Sequence, residues 1–204
     1  MSFDPLLTLI TVVVLLFSLS IHESAHAWTA DLLGDSTSRN LGRVTLNPLA
    51  HVDLIGTVLF PLLGLLLGGF IFGWAKPVSV NPQNLNNPRR DHLLIAAAGP
   101  LSNVVLAVFF LVGIKISMFL EISIFFSFCK MGLFLNIVLA IFNLIPIPPL
   151  DGSWILSGIL PDKLSLLMDK IRPYGFILLI LLLASGGVGV VLNEVIELIV
   201  RAAF

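Results

Sequence analysis

Long apolar runs constrain this chain more than any other feature of its sequence. A helix needs roughly 20 apolar residues to cross a bilayer, and five segments of about that length or longer stand out: Pro5–Trp28, Leu54–Gly73, His92–Leu120, Ile122–Pro146 and Tyr174–Val200. Only 11% of the 204 residues are charged, whereas about 25% are charged in a typical soluble domain. We therefore predict one integral-membrane domain over residues 1–204, an all-α polytopic bundle of transmembrane helices.

Charge and cysteine content exclude several other classes of protein. The net charge is −1 and no basic run is long enough to suggest nucleic acid, so we expect the lipid bilayer, and no nucleic acid, as a partner. The single cysteine, Cys129, excludes an intrachain disulfide framework and a cysteine-rich metal cluster. Any metal ion must therefore be held by His, Asp, Glu or Asn side chains.

The first apolar run has two interpretations. Phe3–Ile21 followed by Ala25-His26-Ala27 is similar to a signal peptide with its cleavage site. However, a basic amino-terminal region is missing, Asp4 stands in its place, and the run is long enough to span a bilayer. These features favour a retained helix.

The second apolar run differs from the others because helix-breaking residues interrupt it. Such a density of glycine and proline predicts broken or re-entrant backbone, a small β-like element after the first helix. A re-entrant segment also places the basic residues on one side, as the positive-inside rule favours. The glycines and proline are Gly56, Pro61, Gly64, Gly68, Gly69 and Gly73, and the basic residues are Arg39, Arg43, Lys76, Arg89, Arg90, Lys163, Lys170 and Arg172.

The first run ends in an HExxH motif, His22-Glu23-Ser24-Ala25-His26. Residues i and i+4 share one face of a helix, so both imidazoles can bind one zinc ion while Glu23 faces the attacking water. Inserting an ionisable group at membrane depth costs about 2.5–3.5 kcal/mol of free energy, so we expect the three ionisable groups of this motif to have a stabilising partner there. The alternative is a polar helix end with hydrogen-bonded histidines.

A hydrolytic zinc site needs a third protein ligand, and Asp151 is a candidate. It follows the fourth run and three prolines, where we expect extended backbone and a turn beside Gly152. On its own, an Asp-Gly pair after prolines is more often a surface turn. If the second run is re-entrant, however, the first and fourth runs end at the same membrane face, and the two halves of a site can meet there.

Three separated motifs together resemble the site-2 protease family of intramembrane zinc metallopeptidases. They are the HExxH motif, Ala98-Gly99-Pro100-Leu101-Ser102-Asn103, and the NxxPxPxxDG stretch from Asn143 to Gly152. Segments 47–53 and 73–78 look like the short prokaryotic branch, which is essentially a membrane core. The resemblance implies one zinc ion per chain on His22, His26 and Asp151, with Glu23 as general base. It implies that Asn143 binds the scissile carbonyl or its oxyanion.

The expected function is hydrolysis of peptide bonds in or near transmembrane segments, the chemistry of regulated intramembrane proteolysis. The partner would be a transmembrane protein or peptide, and the active site would lie nearer the cytoplasmic face of the cell membrane. Because a helix hides its carbonyls, the substrate must be extended, and residues 77–82 with the second run could supply a strand edge for it. Nitrogen and oxygen ligands with an open water position favour zinc over iron or cobalt.

Two other functions are compatible with parts of this pattern: a membrane zinc transporter and an inactive scaffold that binds helices. The polar groups converge on one point rather than along a path, and Glu23 has little use outside chemistry. The sequence does not indicate the oligomeric state. Of the remaining polar residues, His51 and Asp53 are interpreted as a loop turn, although a role beside the metal ligands stays open, and His92 as interfacial. Gly99, Pro100 and Asn103 are assigned to close packing and a polar contact near the site.

Overall fold

A computed structural model of the protein describes residues 4–53, 56, 75–187, 189, 192, 194 and 197. The element predicted over residues 54–73 therefore lies, apart from Gly56, outside the described residues. Seven α-helices are described: α1 Pro5–Leu32, α2 Thr37–Asn40, α3 Pro88–Phe119, α4 Ser123–Leu144, α5 Asp151–Ile159, α6 Asp162–Ile171 and α7 Gly175–Ala184. Short 3-10 helices cover Pro48–Ala50, Pro82–Asn84 and Arg172–Tyr174. No strand occurs within these described ranges.

Three of the described helices, α1, α3 and α4, are long and apolar enough to cross a membrane. This confirms the all-α transmembrane fold, and the observed bounds lie within a few residues of three of the predicted runs. Both α1 and α3 begin with a polar residue followed by proline, Asp4-Pro5 and Asn87-Pro88. Their side chains accept hydrogen bonds from backbone N–H groups of the first turn, the usual way to satisfy a helix start.

One face of α1 organises the bundle. Buried residues recur every fourth position along it, at Ile10, Val14, Ser18, His22 and His26. These side chains form one stripe along the helix, which is apolar toward the amino-terminal end of α1 and polar toward its carboxy-terminal end. Its apolar end joins α3 and α4 in a core that also contains Ala107, Phe110, Ile114, Cys129 and Leu133. The polar end of the stripe carries the candidate site.

Contacts along this stripe fix the directions of the three long helices. Going down α1, Ser18 contacts Asn136 of α4, His22 contacts Asn103 of α3, and His26 contacts Ile95 of α3. Residues with increasing numbers on α1 contact residues with decreasing numbers on α3, so these two helices are antiparallel. Asn103 of α3 contacts Asn136 of α4 and Gly113 lies against Cys129, so α3 and α4 are antiparallel as well. The helices α1 and α4 therefore end at the same end of the bundle.

Loops at that end are held together by Asp35, which is fully buried. Its carboxylate accepts hydrogen bonds from the Thr37 backbone and hydroxyl, from the Asn81 backbone and from the Asn84 amide. Burial raises the pKa of Asp35, but these hydrogen bonds outweigh it, and the net pKa is lowered. The Lys76 N–H donates to the His51 carbonyl at 2.8 Å, so residues on both sides of the undescribed segment meet here.

Candidate metal centre

Three side-chain atoms from distant parts of the chain meet at the polar end of the α1 stripe. The Nε2 atoms of His22 and His26 lie 3.1 Å apart, and they are 3.2 and 3.3 Å from Oδ2 of Asp151. Both imidazoles are buried, and the Asp151 side chain is mostly buried. These three predicted ligands are therefore brought together, although His26 and Asp151 are 125 positions apart in the sequence.

Hydrogen bonds on the far side of each ring assign the protons. His26 Nδ1 lies 2.7 Å from the Ile95 carbonyl oxygen, and His22 Nδ1 lies 2.6 Å from Oδ1 of Asn103. Both oxygens are acceptors, so each Nδ1 must carry the proton. A neutral imidazole has only one N–H. Both Nε2 atoms therefore present lone pairs to the point where the three residues meet.

The donor set fits a divalent metal ion. Asp151 Oδ2 is buried without a hydrogen-bond partner among the described residues, which is consistent with two neighbouring nitrogens that carry no proton. Three lone-pair atoms facing one another repel unless a cation lies between them. In a tetrahedral site with ligands at about 2.0–2.1 Å, neighbouring ligand atoms are about 3.3–3.4 Å apart, and the observed separations of 3.1–3.3 Å match this closely.

Gly99 allows the two imidazoles to lie directly on the backbone of α3. A Cβ atom at this position would be 2.3 Å from Nε2 of His26 and 2.6 Å from Cε1 of His22. Any side chain would therefore occupy the space of the rings. The assignment of Gly99 and Asn103 to close packing and a polar contact near the site is confirmed.

Asp151 is placed by the junction between α4 and α5. The prolines after α4 give extended backbone at Ile145 and Leu150, as expected, but Asp151 is the first residue of α5 and not part of a turn. A Cβ on Gly152 would lie 2.2 Å from the Leu144 carbonyl oxygen, so this glycine lets α5 begin against the end of α4. The junction directs the carboxylate back toward α1.

A cavity of about 440 Å³ opens beside the three ligand atoms. Glu23 and Asn143, the other two predicted site residues, both line it. Asn143 Nδ2 donates to the Leu139 carbonyl of its own helix at 3.0 Å, which leaves its second N–H and its oxygen for the cavity. Pro77, Val78 and Val80 also line this cavity.

Comparison with known proteins agrees with this geometry. The model of the Peptidase family M50 matches residues 10–121 and 112–183. The chain belongs to peptidase family M50. This confirms the resemblance to the site-2 proteases, and it identifies the protein as a member of a metalloprotease family with membrane-spanning helices.

Two relatives illustrate how far the similarity of this M50 peptidase extends. YwhC of Bacillus subtilis, named as a candidate zinc metalloprotease, is 38% identical over 181 residues, which cover 85% of this chain and 80% of YwhC. Rip2 of Mycolicibacterium smegmatis, named in the same way, is 31% identical over 170 residues, 83% of this chain and 64% of Rip2. The chain thus spans slightly less than two thirds of Rip2. No solved structure matches this chain.

One part of the M50 cavity was not predicted from the sequence. His92, which was interpreted as interfacial, lines the cavity and stacks on Trp154 with ring centroids 3.9 Å apart. The Arg172 guanidinium lies over the Trp154 ring, 3.1 Å from its centroid, and donates a hydrogen bond to the Ser157 hydroxyl. Trp154 lies one helical turn after Asp151, and this i, i+3 spacing is the signal that could have placed it at the site.

His51 and Asp53 do not join the metal ligands in the described part of the chain. His51 Nε2 donates to the Thr45 carbonyl at 2.9 Å, and Asp53 accepts from the Gly56 N–H at 2.7 Å. Both residues therefore hold loop backbone, which supports their interpretation as a loop turn.

Proposed function

We propose that this M50 peptidase is a zinc-dependent intramembrane protease whose metal ion is held by His22, His26 and Asp151. The observation that carries the proposal is the buried triangle of three proton-free ligand atoms with edges of 3.1–3.3 Å. Zinc bound by such a set supplies Lewis acidity, which polarises a peptide carbonyl and makes water more acidic. Two imidazoles and one carboxylate are a ligand set that zinc hydrolases use, and they leave one position open.

Glu23 is the proposed general base. Because it follows His22 directly on α1 and lines the cavity, its carboxylate can accept the proton of an attacking water and return it to the leaving amine. Asn143 has one N–H that is not bonded to its own helix, and we assign it to the substrate carbonyl or the oxyanion. These two residues supply proton transfer and oxyanion binding, respectively.

Segment 75–81, which contains no helix, strand or turn, is the proposed docking edge for the substrate. Val78 and Val80 face the cavity, while Ser79 between them is exposed and its carbonyl accepts from the Ser38 hydroxyl. Within the described chain, the backbone groups of Val78 and Val80 have no hydrogen-bond partner. An unwound substrate can pair with such an edge, which would hold its scissile bond between the edge and Asn143.

The position of the site supports cleavage near one membrane surface. His22 and His26 lie in the second half of α1, one of the candidate spans, and most of the basic residues lie in the loops, the short helices and the first turn of α3 rather than in the interior of the candidate spans. By the positive-inside rule we assign this end to the cytoplasmic face. We further assign this enzyme to regulated intramembrane proteolysis, with a transmembrane protein as substrate. Membership of a peptidase family favours this function over zinc transport or a scaffold.

Co-expression with candidate single-span proteins tests the proposal. The wild type should produce fragments that are absent with Glu23→Gln, because the amide cannot accept the proton although the metal ligands remain. Zinc content measured on both purified proteins should be equal. Fragments that persist with Glu23→Gln, or a variant that has lost its zinc, would contradict the assignment of Glu23 as general base.

A further inference from the structure

A chain of buried amides connects His22 to the interior of the bundle. His22 Nδ1 is 2.6 Å from Asn103 Oδ1, Asn103 Nδ2 is 2.9 Å from Asn136 Oδ1, and Asn136 Nδ2 is 2.8 Å from the Gly132 carbonyl oxygen. Both asparagines are completely buried. We propose that Asn103 and Asn136 form a relay that fixes the tautomer of His22, so that its Nε2 always presents a lone pair to the metal. This inference rests on the proposed role of His22 as a ligand.

The direction of the relay is set by its last member. The Gly132 oxygen belongs to the backbone and can only accept, so the Asn136 atom that faces it must be the NH₂ group. The opposite atom of Asn136 is then the oxygen, which requires the NH₂ group of Asn103 beside it. Asn103 in turn presents its oxygen to His22, and His22 must donate from Nδ1. A backbone carbonyl on α4 thereby determines the proton position on a side chain of α1.

The relay gives His22 a fixed proton position on Nδ1, which His26 obtains without a relay. His26 Nδ1 donates directly to a backbone carbonyl, that of Ile95, and this bond has only one possible direction. His22 instead faces an amide, and an amide can rotate by 180° and exchange its acceptor for a donor. In the rotated state, Asn103 would donate to Nδ1, the proton of His22 would move to Nε2, and Nε2 could not bind a metal ion. Asn136 makes that rotation unfavourable, because the side-chain oxygens of Asn103 and Asn136 would then face each other without a donor between them. If Asn136 rotated as well, its oxygen would instead face the Gly132 carbonyl oxygen.

Ser18 belongs to the same buried cluster but does not set its direction. Its hydroxyl lies 2.8 Å from Nδ2 of Asn136, and a hydroxyl can rotate to donate or to accept. Removing it leaves the Gly132 carbonyl in place. Ser18→Ala is therefore a control within the cluster. Ser117→Ala is a second control, because among the described residues that buried hydroxyl of α3 bonds only to its own helix, at the Ile114 carbonyl.

The experiment measures the His22 tautomer and the zinc affinity of the full chain. With only four histidines, ¹⁵N-histidine labelling of the metal-free protein in detergent gives few signals, and the two ring nitrogens differ strongly in shift according to which one is protonated. We expect His22 of the wild type, Ser18→Ala and Ser117→Ala to be protonated at Nδ1. Asn136→Leu should show a mixture of tautomers, and its zinc affinity in chelator competition should fall by roughly 10–100-fold, the usual effect of losing a partner that orients a ligand.

A rescue variant separates this effect from general damage to the fold. An Asp at position 103 can accept from Nδ1 in either orientation, so Asn103→Asp combined with Asn136→Leu should restore the Nδ1–H tautomer and most of the affinity. A merely structural role of Asn136 predicts no such recovery. An unchanged tautomer and unchanged zinc affinity in Asn136→Leu would overturn the relay, and so would a double variant that fails to recover.

The relay and the proposed function can fail independently. If the tautomer and zinc affinity respond as expected but the wild type cleaves no membrane substrate, the relay stands and the protease assignment falls. If Glu23-dependent cleavage is observed but Asn136→Leu changes neither tautomer nor affinity, the protease assignment stands and the relay is refuted.

Discussion

Gly99→Ala is the sharpest steric perturbation of the proposed metal centre. The added Cβ would lie 2.3 Å from His26 Nε2, 2.5 Å from its Cε1 and 2.6 Å from His22 Cε1, whereas ordinary van der Waals contact begins at 3.4 Å. The closest pair must therefore separate by 3.4 − 2.3 = 1.1 Å. A metal site tolerates ligand displacements of only about 0.2 Å, so both rings cannot keep their places beside Asp151.

The expected loss is in zinc affinity. In the metal-free variant the rings can rotate away from the new methyl group, and binding must bring them back against it. Overpacking of this kind costs about 1–3 kcal/mol, which corresponds to a loss of roughly 5- to 150-fold in zinc affinity, since about 1.4 kcal/mol is tenfold. Competition of the detergent-purified protein with a chelator of known affinity measures this directly.

Gly113→Ala is the matched control on the same helix. Its Cβ would be 2.6 Å from the Cys129 sulfur, so this variant also overpacks α3 against a neighbour. It lies 14 residues further along α3, about 21 Å from the site. We expect Gly113→Ala to lose about as much thermal stability as Gly99→Ala, but to bind zinc with wild-type affinity. If Gly99→Ala binds zinc as tightly as the wild type, or if Gly113→Ala weakens zinc equally, the reasoning from ring contacts is wrong.

Two further predictions concern the loops beside the site. Val80→Pro should reduce cleavage of a membrane substrate while zinc content stays at the wild-type level, because proline removes an N–H from the proposed docking edge. Ser79→Ala is the control, because the Ser79 side chain is exposed. Unimpaired cleavage by Val80→Pro would argue against the docking edge. Asp35 has a folded-state pKa below its unfolded value of about 3.9, so its stabilising contribution is present above that pH and is lost as the pH falls through the folded pKa. The unfolding temperature of the wild type should therefore drop at acid pH. Asp35→Asn should be less stable than the wild type at pH 7 and should lose part of this pH dependence. Parallel pH profiles of the two unfolding temperatures would contradict the stabilising role of the Asp35 carboxylate.

Much of the fold follows from the sequence because membrane physics leaves few choices. Apolar length alone predicted α1, α3 and α4, and the HExxH spacing placed His22 and His26 on one helix face. The meeting of Asp151 with these histidines required an argument from topology, and the observed antiparallel order of the three long helices agrees with it. The predicted re-entrant element after the first helix stays a prediction.

The features that the sequence did not reveal depend on contacts between helices. Ser18 and Asn136 look like isolated polar residues in apolar runs, and only the packing of α1 against α4 joins them to Asn103 and His22. Ser18 does lie one helical turn before His22, so the stripe on α1 contained part of the signal. The place of His92 in the cavity wall was not foreseen for a similar reason: the adjacent arginines indicate an interface, and its stacking partner, Trp154, is 62 residues away.

The central claim is that His22, His26 and Asp151 together hold one zinc ion. Metal analysis after equilibrium dialysis, combined with X-ray absorption at the zinc edge, tests it most directly. We predict one zinc per chain with only nitrogen and oxygen neighbours at about 2.0–2.2 Å, and loss of this zinc in Asp151→Ala. One full equivalent of zinc retained by Asp151→Ala with unchanged affinity, or a sulfur neighbour from Cys129, would contradict the account.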